Sequence, residues 1–245
     1  MNLVIDIGNS FAKVALFEQD KLVKTILREQ VSFDLIRDCI KHNSPDAVIL
    51  SSVKKEDILL YEFLYDTFPV FYHLTHKLPV PLKIDYRTPK TLGMDRLAAA
   101  IGASIEKPGM NLLIIDIGTA ITIDFVGSDG VYRGGNISPG PNLRFQSLYR
   151  CTKKLPLVDK QGEIPSLGHD TLTAIRSGVI NGIVRELDSY IDEYKKNAKV
   201  FTFLTGGNTF YFESKLKNAI FADENLVLKG LNEIIRYNER LKIKK

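Results

Sequence analysis

Two short turns in this sequence combine an aspartate, a glycine and small polar residues in a way that suits phosphate chemistry. The first is Asp6-Ile7-Gly8, followed by Asn9 and Ser10. Gly8 has no Cβ, so an anion can approach the main chain closely and meet backbone N–H groups. Asp6 can hold Mg²⁺, which favours carboxylate oxygen and keeps several waters. These residues predict a site for phosphate and a divalent cation, although a plain hairpin turn explains this copy equally well.

The second turn, Asp116-Ile117-Gly118, comes 110 residues later in the chain. The segments Leu3–Gly8 and Leu113–Gly118 align without a gap. Each copy is followed by a short turn and a second strand pattern, so the repeat indicates a gene duplication. Thr119 replaces Asn9 in the second copy, which makes that turn richer in hydroxyls.

A third glycine turn, Gly206-Gly207, follows a strand pattern and precedes a helical one. Backbone at such a turn can lie flat against an adenosine, and a helix N-terminus favours negative charge. Alone, this pair is more often only a turn. After two Asp-Ile-Gly turns, it predicts the third part of an actin-like nucleotide cleft. The chain has neither a P-loop nor a Rossmann glycine fingerprint, and it has no His-Arg-Asp loop.

The catalytic candidate is Asp95, near the start of a predicted helix. Phosphoryl transfer depends on positioning, metal charge and a carboxylate that accepts the proton of the attacking hydroxyl. Asp95 fits the last requirement, and Arg96 could bind a substrate carboxylate through two hydrogen bonds. Local sequence alone favours helix capping by Asp95 and a solvated Arg96.

Alternating strand and helix patterns must position these residues. Strand patterns at Leu3–Ile7, Phe11–Phe17 and Ala47–Leu50 alternate with helical ones, which is typical of an α/β fold. The stretch from Leu78 to Pro89 lacks periodicity and predicts a connection between two lobes. We therefore predict an N-terminal lobe at 1–90 and a C-terminal lobe at 91–245.

The C-terminal lobe is predicted to contain a long helix from about Leu172 to Tyr194. Apolar residues recur along this helix at helical spacing, namely Ile175, Val179, Ile183 and Leu187. Such a stripe could serve a core, a dimer interface or both in part.

Composition limits the partners. Lys and Arg exceed Asp and Glu by four and are scattered, which argues against nucleic acid as a main partner. The basic stretch of Lys242, Lys244 and Lys245 is typical of a solvated end. Two cysteines suit a reducing compartment, and the start of the chain has no signal-peptide pattern. No apolar run approaches the roughly 18 residues of a membrane span. We expect a cytoplasmic protein without membrane contact.

Seven short motifs follow one another in an order that is specific as a set. They are Asp6-Ile-Gly-Asn-Ser10 with Lys13, Tyr86-Arg-Thr-Pro89, Gly93-Met-Asp-Arg96, Asp116-Ile-Gly-Thr119, Gly134-Gly-Asn-Ile-Ser-Pro-Gly140, Asp170-Thr171 leading to Ser177-Gly178, and Leu204-Thr-Gly-Gly207. In these motifs, and over nearly its whole length, the chain resembles the type III pantothenate kinases. That family is part of the superfamily of acetate and sugar kinases, heat-shock ATPases and actin.

The resemblance implies a duplicated actin-like, ribonuclease H-like α/β fold of two lobes, with mixed sheets flanked by helices. It implies ATP-dependent phosphorylation of the primary hydroxyl of pantothenate to 4'-phosphopantothenate, the first step of coenzyme A biosynthesis. The implied cofactors are Mg²⁺ and a monovalent cation, K⁺ or ammonium (NH4⁺). The implied assembly is a homodimer in which residues around Thr171 complete the neighbouring subunit's site.

The resemblance also implies individual roles. Asp95 matches the base, Asp116 the ligand of the monovalent cation, and Asp6 is the expected Mg²⁺ ligand. The ATP-binding positions are Asp6, Ile7, Gly8, Asn9, Ser10, Phe11, Ala12, Lys13, Thr119, Gly206 and Gly207. The positions for pantothenate are Tyr86, Gly93, Met94, Asp95, Arg96 and Thr171.

Two other functions stay open at this point. The chain could be a non-catalytic nucleotide-binding regulator of the same fold, although it keeps Asp6, Asp95, Arg96 and Asp116. It could also be a kinase for a sugar or another small hydroxy acid, although Arg96 favours an acceptor that bears a carboxylate.

Overall fold

A computed structural model describes residues 1–55 and 57–243 of the chain. These residues form two compact units. The first consists of Met1–Gly109, Val126–Gly134 and the segment from Asn225, and the second consists of Met110–Phe125 and Gly135–Glu224. Lys244 and Lys245, in the predicted solvated end, lie outside the described residues. Within the described ranges, no helix combines the length and apolar character needed to cross a membrane.

The first unit alternates strands and helices around a mixed sheet. Its elements are β1 (Asn2–Ile7), β2 (Ala12–Glu18), β3 (Lys21–Arg28), α1 (Phe33–Ile40), β4 (Ala47–Ser52), α2 (Ile58–Thr67), β5 (Val70–His73), β6 (Lys83–Ile84), α3 (Met94–Glu106) and α7 (Leu226–Ile243). The main sheet has the order β3-β2-β1-β4-β5, with β1 antiparallel to β2 and parallel to β4. Leu3, Ile5 and Leu50 pack on one face of this sheet with buried residues of α1 and α2.

The second unit repeats this scheme. Its elements are β7 (Asn111–Ile117), β8 (Ala120–Val126), β9 (Val131–Pro139), α4 (Pro141–Cys151), α5 (Thr171–Asn197), β10 (Val200–Thr205), α6 (Thr209–Glu213) and β11 (Phe221–Ala222). The last residue of β8 and the first part of β9, up to Gly134, belong to the first unit. Its strand order β9-β8-β7-β10-β11 corresponds position by position to β3-β2-β1-β4-β5, and β6 adds an edge strand beside β9. The strand orders therefore agree with the duplication predicted from the repeated turn.

Several elements differ from the sequence prediction. The stretch Leu78–Pro89 contains the short strand β6. Periodicity also missed β9 and α4, because glycine and proline interrupt that segment. The apolar stripe of α5 serves the core: its four residues are buried in one cluster with Ile115 of β7 and Ile121 of β8.

Helices α3 and α7 pack together in the first unit through two glycines. A Cβ added to Gly102 would lie 2.1 Å from the Leu226 carbonyl oxygen, and one added to Gly230 would lie 1.8 Å from the Ala98 oxygen. The two backbones therefore touch where only glycine fits. This packing places α3 and α7 in the same compact unit.

We expect Gly102→Ala to destabilise the protein by about 1–3 kcal/mol, because the added methyl forces the two helices apart. Urea unfolding followed by circular dichroism measures the change. Ser104→Ala is the matched control on the same helix, where the Ser104 hydroxyl donates to the Ala100 carbonyl at 2.8 Å. Its effect should stay within about 0.5 kcal/mol. Equal stability of the two variants would contradict the close packing.

Candidate active site

The first Asp-Ile-Gly turn connects β1 to β2. Gly8 N donates a hydrogen bond to the Phe11 carbonyl oxygen at 3.0 Å, which closes the turn and leaves Asn9 and Ser10 exposed. Asp6 is the cross-strand partner of Lys13 in the β1–β2 ladder. The turn thus presents hydroxyl and amide groups beside a carboxylate and an ammonium group, as the sequence predicted.

Asp6 has an unusual electrostatic environment. The pKa of its carboxyl is raised from 3.8 to about 6, chiefly by burial and also by the nearby negative charge of Asp95, while the Ser51 hydroxyl and the Lys13 ammonium act in the opposite direction. Among the described residues, Asp6 Oδ1 is buried and accepts no hydrogen bond of ordinary distance and angle. A buried carboxylate oxygen without a partner is costly, and a cation would offset that cost. The carboxylate therefore fits a bound Mg²⁺.

Asp95 is the second residue of α3, two positions after the N-cap residue Gly93. Its Oδ1 accepts a hydrogen bond from Arg96 N at 2.8 Å, which orients the carboxylate. Because Asp95 acts on the pKa of Asp6, the two carboxylates lie close together although they are far apart in sequence. Both aspartates lie in the first unit.

Arg96 is only 6% exposed, so the solvated position that local sequence favoured is wrong. Its guanidinium carbon lies 6.0 Å from the ring centroid of Tyr86, at the limit of a cation–π contact. The Tyr86 ring in turn meets the buried Tyr132 edge-on, with 6.2 Å between centroids. A buried cation at the start of α3 beside an aromatic ring can bind a carboxylate of a small molecule. Tyr132 was missed because β9 was not predicted.

The second Asp-Ile-Gly turn connects β7 to β8 in the second unit. Gly118 N donates to the Ala120 oxygen at 2.9 Å, and Gly140 N donates to the Thr119 oxygen at 3.0 Å. The segment between β9 and α4 is therefore tied to this turn. A Cβ added to Gly140 would collide with the carbonyl oxygens of Gly118 and Thr119, so this contact requires glycine.

The Gly206-Gly207 turn lies against the second Asp-Ile-Gly turn. Gly206 has φ +95°, and a Cβ there would be 2.3 Å from Asp116 Oδ1, so no other residue fits. Asn208 N and Nδ2 each donate to the Ile117 oxygen at 3.1 Å. Lys160 Nζ donates to Asn208 Oδ1 at 2.7 Å. Asn208 could have been suspected from its place after the glycine pair, whereas no sequence signal indicated Lys160.

Thr171 is exposed at the first position of α5 and takes part in none of these contacts. The helix begins with a capping box, in which Asp170 Oδ1 accepts from Thr173 N at 2.9 Å. Among the described residues there is no cluster of three or more His, Cys, Asp or Glu side chains that could hold a metal. Mg²⁺ is commonly held by one or two carboxylates together with substrate phosphates, so Asp6 fits that mode.

Comparison with solved structures supports the fold. A Campylobacter jejuni protein named for the Baf family of transcriptional activators has a TM-score of 0.63 at 24% identity, with 97% of this chain and 99% of that one covered. Component A of the (R)-2-hydroxyglutaryl-CoA dehydratase of Acidaminococcus fermentans has a TM-score of 0.53 at 13% identity, with 96% of each chain covered. The predicted class, a duplicated actin-like α/β fold with mixed sheets flanked by helices, is confirmed.

Comparison with sequences supports the family. A protein named type III pantothenate kinase from Azobacteroides pseudotrichonymphae is 52% identical over 240 residues, which is 98% of each chain. One from Phocaeicola vulgatus is 46% identical over 243 residues, or 98% of this chain and all of that one. The family model for type III pantothenate kinase matches residues 2–193. The chain belongs to the type III pantothenate kinase family.

Proposed function

We propose that the chain transfers the γ-phosphoryl group of ATP to the primary hydroxyl of pantothenate. The products are 4'-phosphopantothenate and ADP, and the reaction is the first step of coenzyme A biosynthesis. The observation that carries this proposal is the proximity of Asp6 and Asp95 within one unit of a chain from this family. Phosphoryl transfer of this kind needs one carboxylate on the side of the metal and phosphates and another at the attacking hydroxyl.

Asp95 acts as the base. It accepts the hydroxyl proton as the bond from pantothenate oxygen to the γ-phosphorus forms and the bond from that phosphorus to ADP breaks. Its carboxylate is oriented by Arg96 N before substrate arrives. Asp6 holds Mg²⁺, which supplies positive charge beside the phosphates. Those phosphates are bound by the segment from Ile7 to Lys13, which includes Gly8, Phe11 and Ala12.

Arg96 and Tyr86 bind pantothenate. The buried guanidinium pairs with the substrate carboxylate, and the Tyr86 ring limits how far that guanidinium can move. Gly93 and Met94 present main chain at the start of α3. Thr171 contributes to substrate binding from the start of α5.

Residues of the second unit have proposed roles toward the nucleotide and the monovalent cation. Thr119 binds a phosphate, and Gly206 with Gly207 offers flat backbone to the nucleotide. Asp116 binds K⁺ or NH4⁺. The contact of Gly206 with Asp116 Oδ1 supports a coupling between nucleotide binding at Gly206 and cation binding at Asp116.

The working form is a cytoplasmic homodimer whose partners are pantothenate and ATP, without nucleic acid or membrane. Exposed Thr171, at the start of a long helix, is available to a second copy of the chain. Sedimentation velocity tests the dimer.

Release of ADP tests the activity, with pantothenate, a hexose and acetate offered side by side. We expect turnover with pantothenate that requires Mg²⁺ and either K⁺ or NH4⁺. A folded protein without turnover would favour the non-catalytic regulator, and a faster reaction with hexose or acetate would overturn the substrate.

The role of Arg96 leads to a prediction on substrate affinity. Arg96→Lys should raise KM for pantothenate roughly 10- to 100-fold, because a point charge replaces a two-pronged donor that is worth about 1.5–3 kcal/mol. KM for ATP should change little. Arg87→Lys is the matched control, since Arg87 is exposed on the same segment as Tyr86. Equal KM values for the two variants would remove Arg96 from the pantothenate site.

A further inference from the structure

A hydroxyl residue is the direct neighbour of each Asp-Ile-Gly aspartate in the parallel ladders. Asp6 on β1 pairs with Ser51 on β4, and Asp116 on β7 pairs with Thr205 on β10. Partners in adjacent strands direct their side chains to the same face of the sheet. Because β1 and β4 correspond to β7 and β10 in the duplicated strand order, the two hydroxyls occupy equivalent places.

Both hydroxyls are buried, and the Ser51 hydroxyl is close enough to the Asp6 carboxyl to lower its pKa. Ser51 is 0% exposed and Thr205 is 1% exposed. Within the described part of the chain, Ser51 Oγ and Thr205 Oγ1 make no hydrogen bond of ordinary distance and angle, and neither does Asp6 Oδ1. Leaving a buried polar group unpaired destabilises the folded state, so its persistence calls for an explanation.

Packing alone is one explanation, and Thr202 shows how to test it. Thr202 is on β10, is 3% exposed, and its Oγ1 is likewise buried without a partner among the described residues. Its neighbour in the ladder is Leu113 rather than an aspartate. Thr202 is therefore buried like Thr205, but its partner in the ladder is not an aspartate.

We propose that Ser51 and Thr205 are cation-site residues, Ser51 for the divalent ion at Asp6 and Thr205 for the monovalent ion at Asp116. Each hydroxyl can donate to the neighbouring carboxylate and offer its lone pairs to the ion or to a water of the ion. This proposal rests on the proposed kinase function and adds one oxygen ligand or water-holding group to each cation site. The duplicated fold thus contains two sites of the same plan, a carboxylate and a hydroxyl on neighbouring parallel strands.

The experiment compares Ser51→Ala, Thr205→Val and the control Thr202→Val in two binding measurements. Mn²⁺ binding in the presence of ADP is followed by electron paramagnetic resonance. The rise in Tm is followed as K⁺ replaces Na⁺ at constant ionic strength, because a bound ion stabilises the folded state. Groups that support a metal ligand typically change affinity 10- to 100-fold when removed.

We expect Ser51→Ala to weaken Mn²⁺ binding on the order of tenfold and to leave the K⁺ midpoint unchanged. Thr205→Val should shift the K⁺ midpoint by about the same factor and spare Mn²⁺. Ser51→Thr and Thr205→Ser keep the hydroxyl, so their Mn²⁺ binding and K⁺ midpoint should match those of the wild type. Thr202→Val should match the wild type in both measurements.

The Thr205 half of the proposal would be overturned if Thr205→Val and Thr202→Val behaved alike, or if the wild type showed no response to K⁺. The Ser51 half would be overturned if Ser51→Ala bound Mn²⁺ as well as the wild type does. Pantothenate-dependent ADP release by the wild type is measured in parallel. Its absence would count against the kinase function itself, whereas an active wild type with unaffected variants would count against the hydroxyls alone.

Discussion

Asp95→Asn should lower kcat for pantothenate phosphorylation about 10²- to 10⁴-fold, the range by which a general base accelerates proton transfer. An amide cannot accept the hydroxyl proton, while its carbonyl oxygen can still accept the hydrogen bond that Arg96 N makes at 2.8 Å. KM for both substrates should therefore stay within a few-fold of the wild type. Initial rates of ADP release over a range of both substrates measure these constants.

Two controls separate chemistry from structure in this variant. Asp38→Asn makes the same change of charge at an exposed position of α1 and should leave kcat unchanged. Asp95→Asn should also be at least as stable as the wild type within about 0.5 kcal/mol, because the change removes a negative charge that acts on buried Asp6. A variant that keeps more than a tenth of the wild-type kcat would exclude Asp95 as the base.

Asp6→Asn should have opposite effects on activity and stability. Loss of the carboxylate that holds Mg²⁺ beside the phosphates should lower kcat about 10²- to 10³-fold, the cost of removing one group that stabilises transition-state charge. Stability without metal or nucleotide should rise, because the ionised carboxylate is buried near Asp95 and its Oδ1 has no hydrogen-bond partner among the described residues.

The gain in stability should depend on pH with a defined sign. The pKa of Asp6 is raised from 3.8 to about 6 in the folded protein. The folded state therefore binds the proton more tightly, and the wild type loses stability as pH rises from about 4 through 6. One pKa unit corresponds to 1.36 kcal/mol, so the wild type is destabilised by on the order of 2–3 kcal/mol at pH 7.

Urea unfolding of Asp6→Asn and wild type at pH 4 and pH 7, with a chelator present, measures this dependence. We expect the variant to be the more stable protein at pH 7 and the difference to vanish near pH 4. Asp38→Asn again controls for charge, since Asp38 is exposed. A difference that is the same at both pH values would show that the Asp6 carboxyl does not titrate between them.

Local pattern was enough to predict most elements and the three glycine turns. Strands such as β1 and β7 alternate or run apolar up to an aspartate, and α5 has a clear helical stripe with a capping residue at its start. Prediction failed at β9 and α4, where glycine and proline are ordinarily taken as loop signals. Pro141 at the first turn of α4 is the residue in this segment that indicates the start of a helix.

The sequence by itself determined the two Asp-Ile-Gly turns, their duplication and the residue types that can bind phosphate, cation and carboxylate. Only the tertiary structure decided which of these residues meet. The pairing of Asp6 with Ser51 depends on the register of β1 against β4. The contact of Gly206 with Asp116 depends on the position of β10 beside β7. The proximity of Asp95 to Asp6 joins two segments of the first unit. Sequence patterns specify periodicity over a few residues, whereas these contacts are set by strand register and helix packing across the chain.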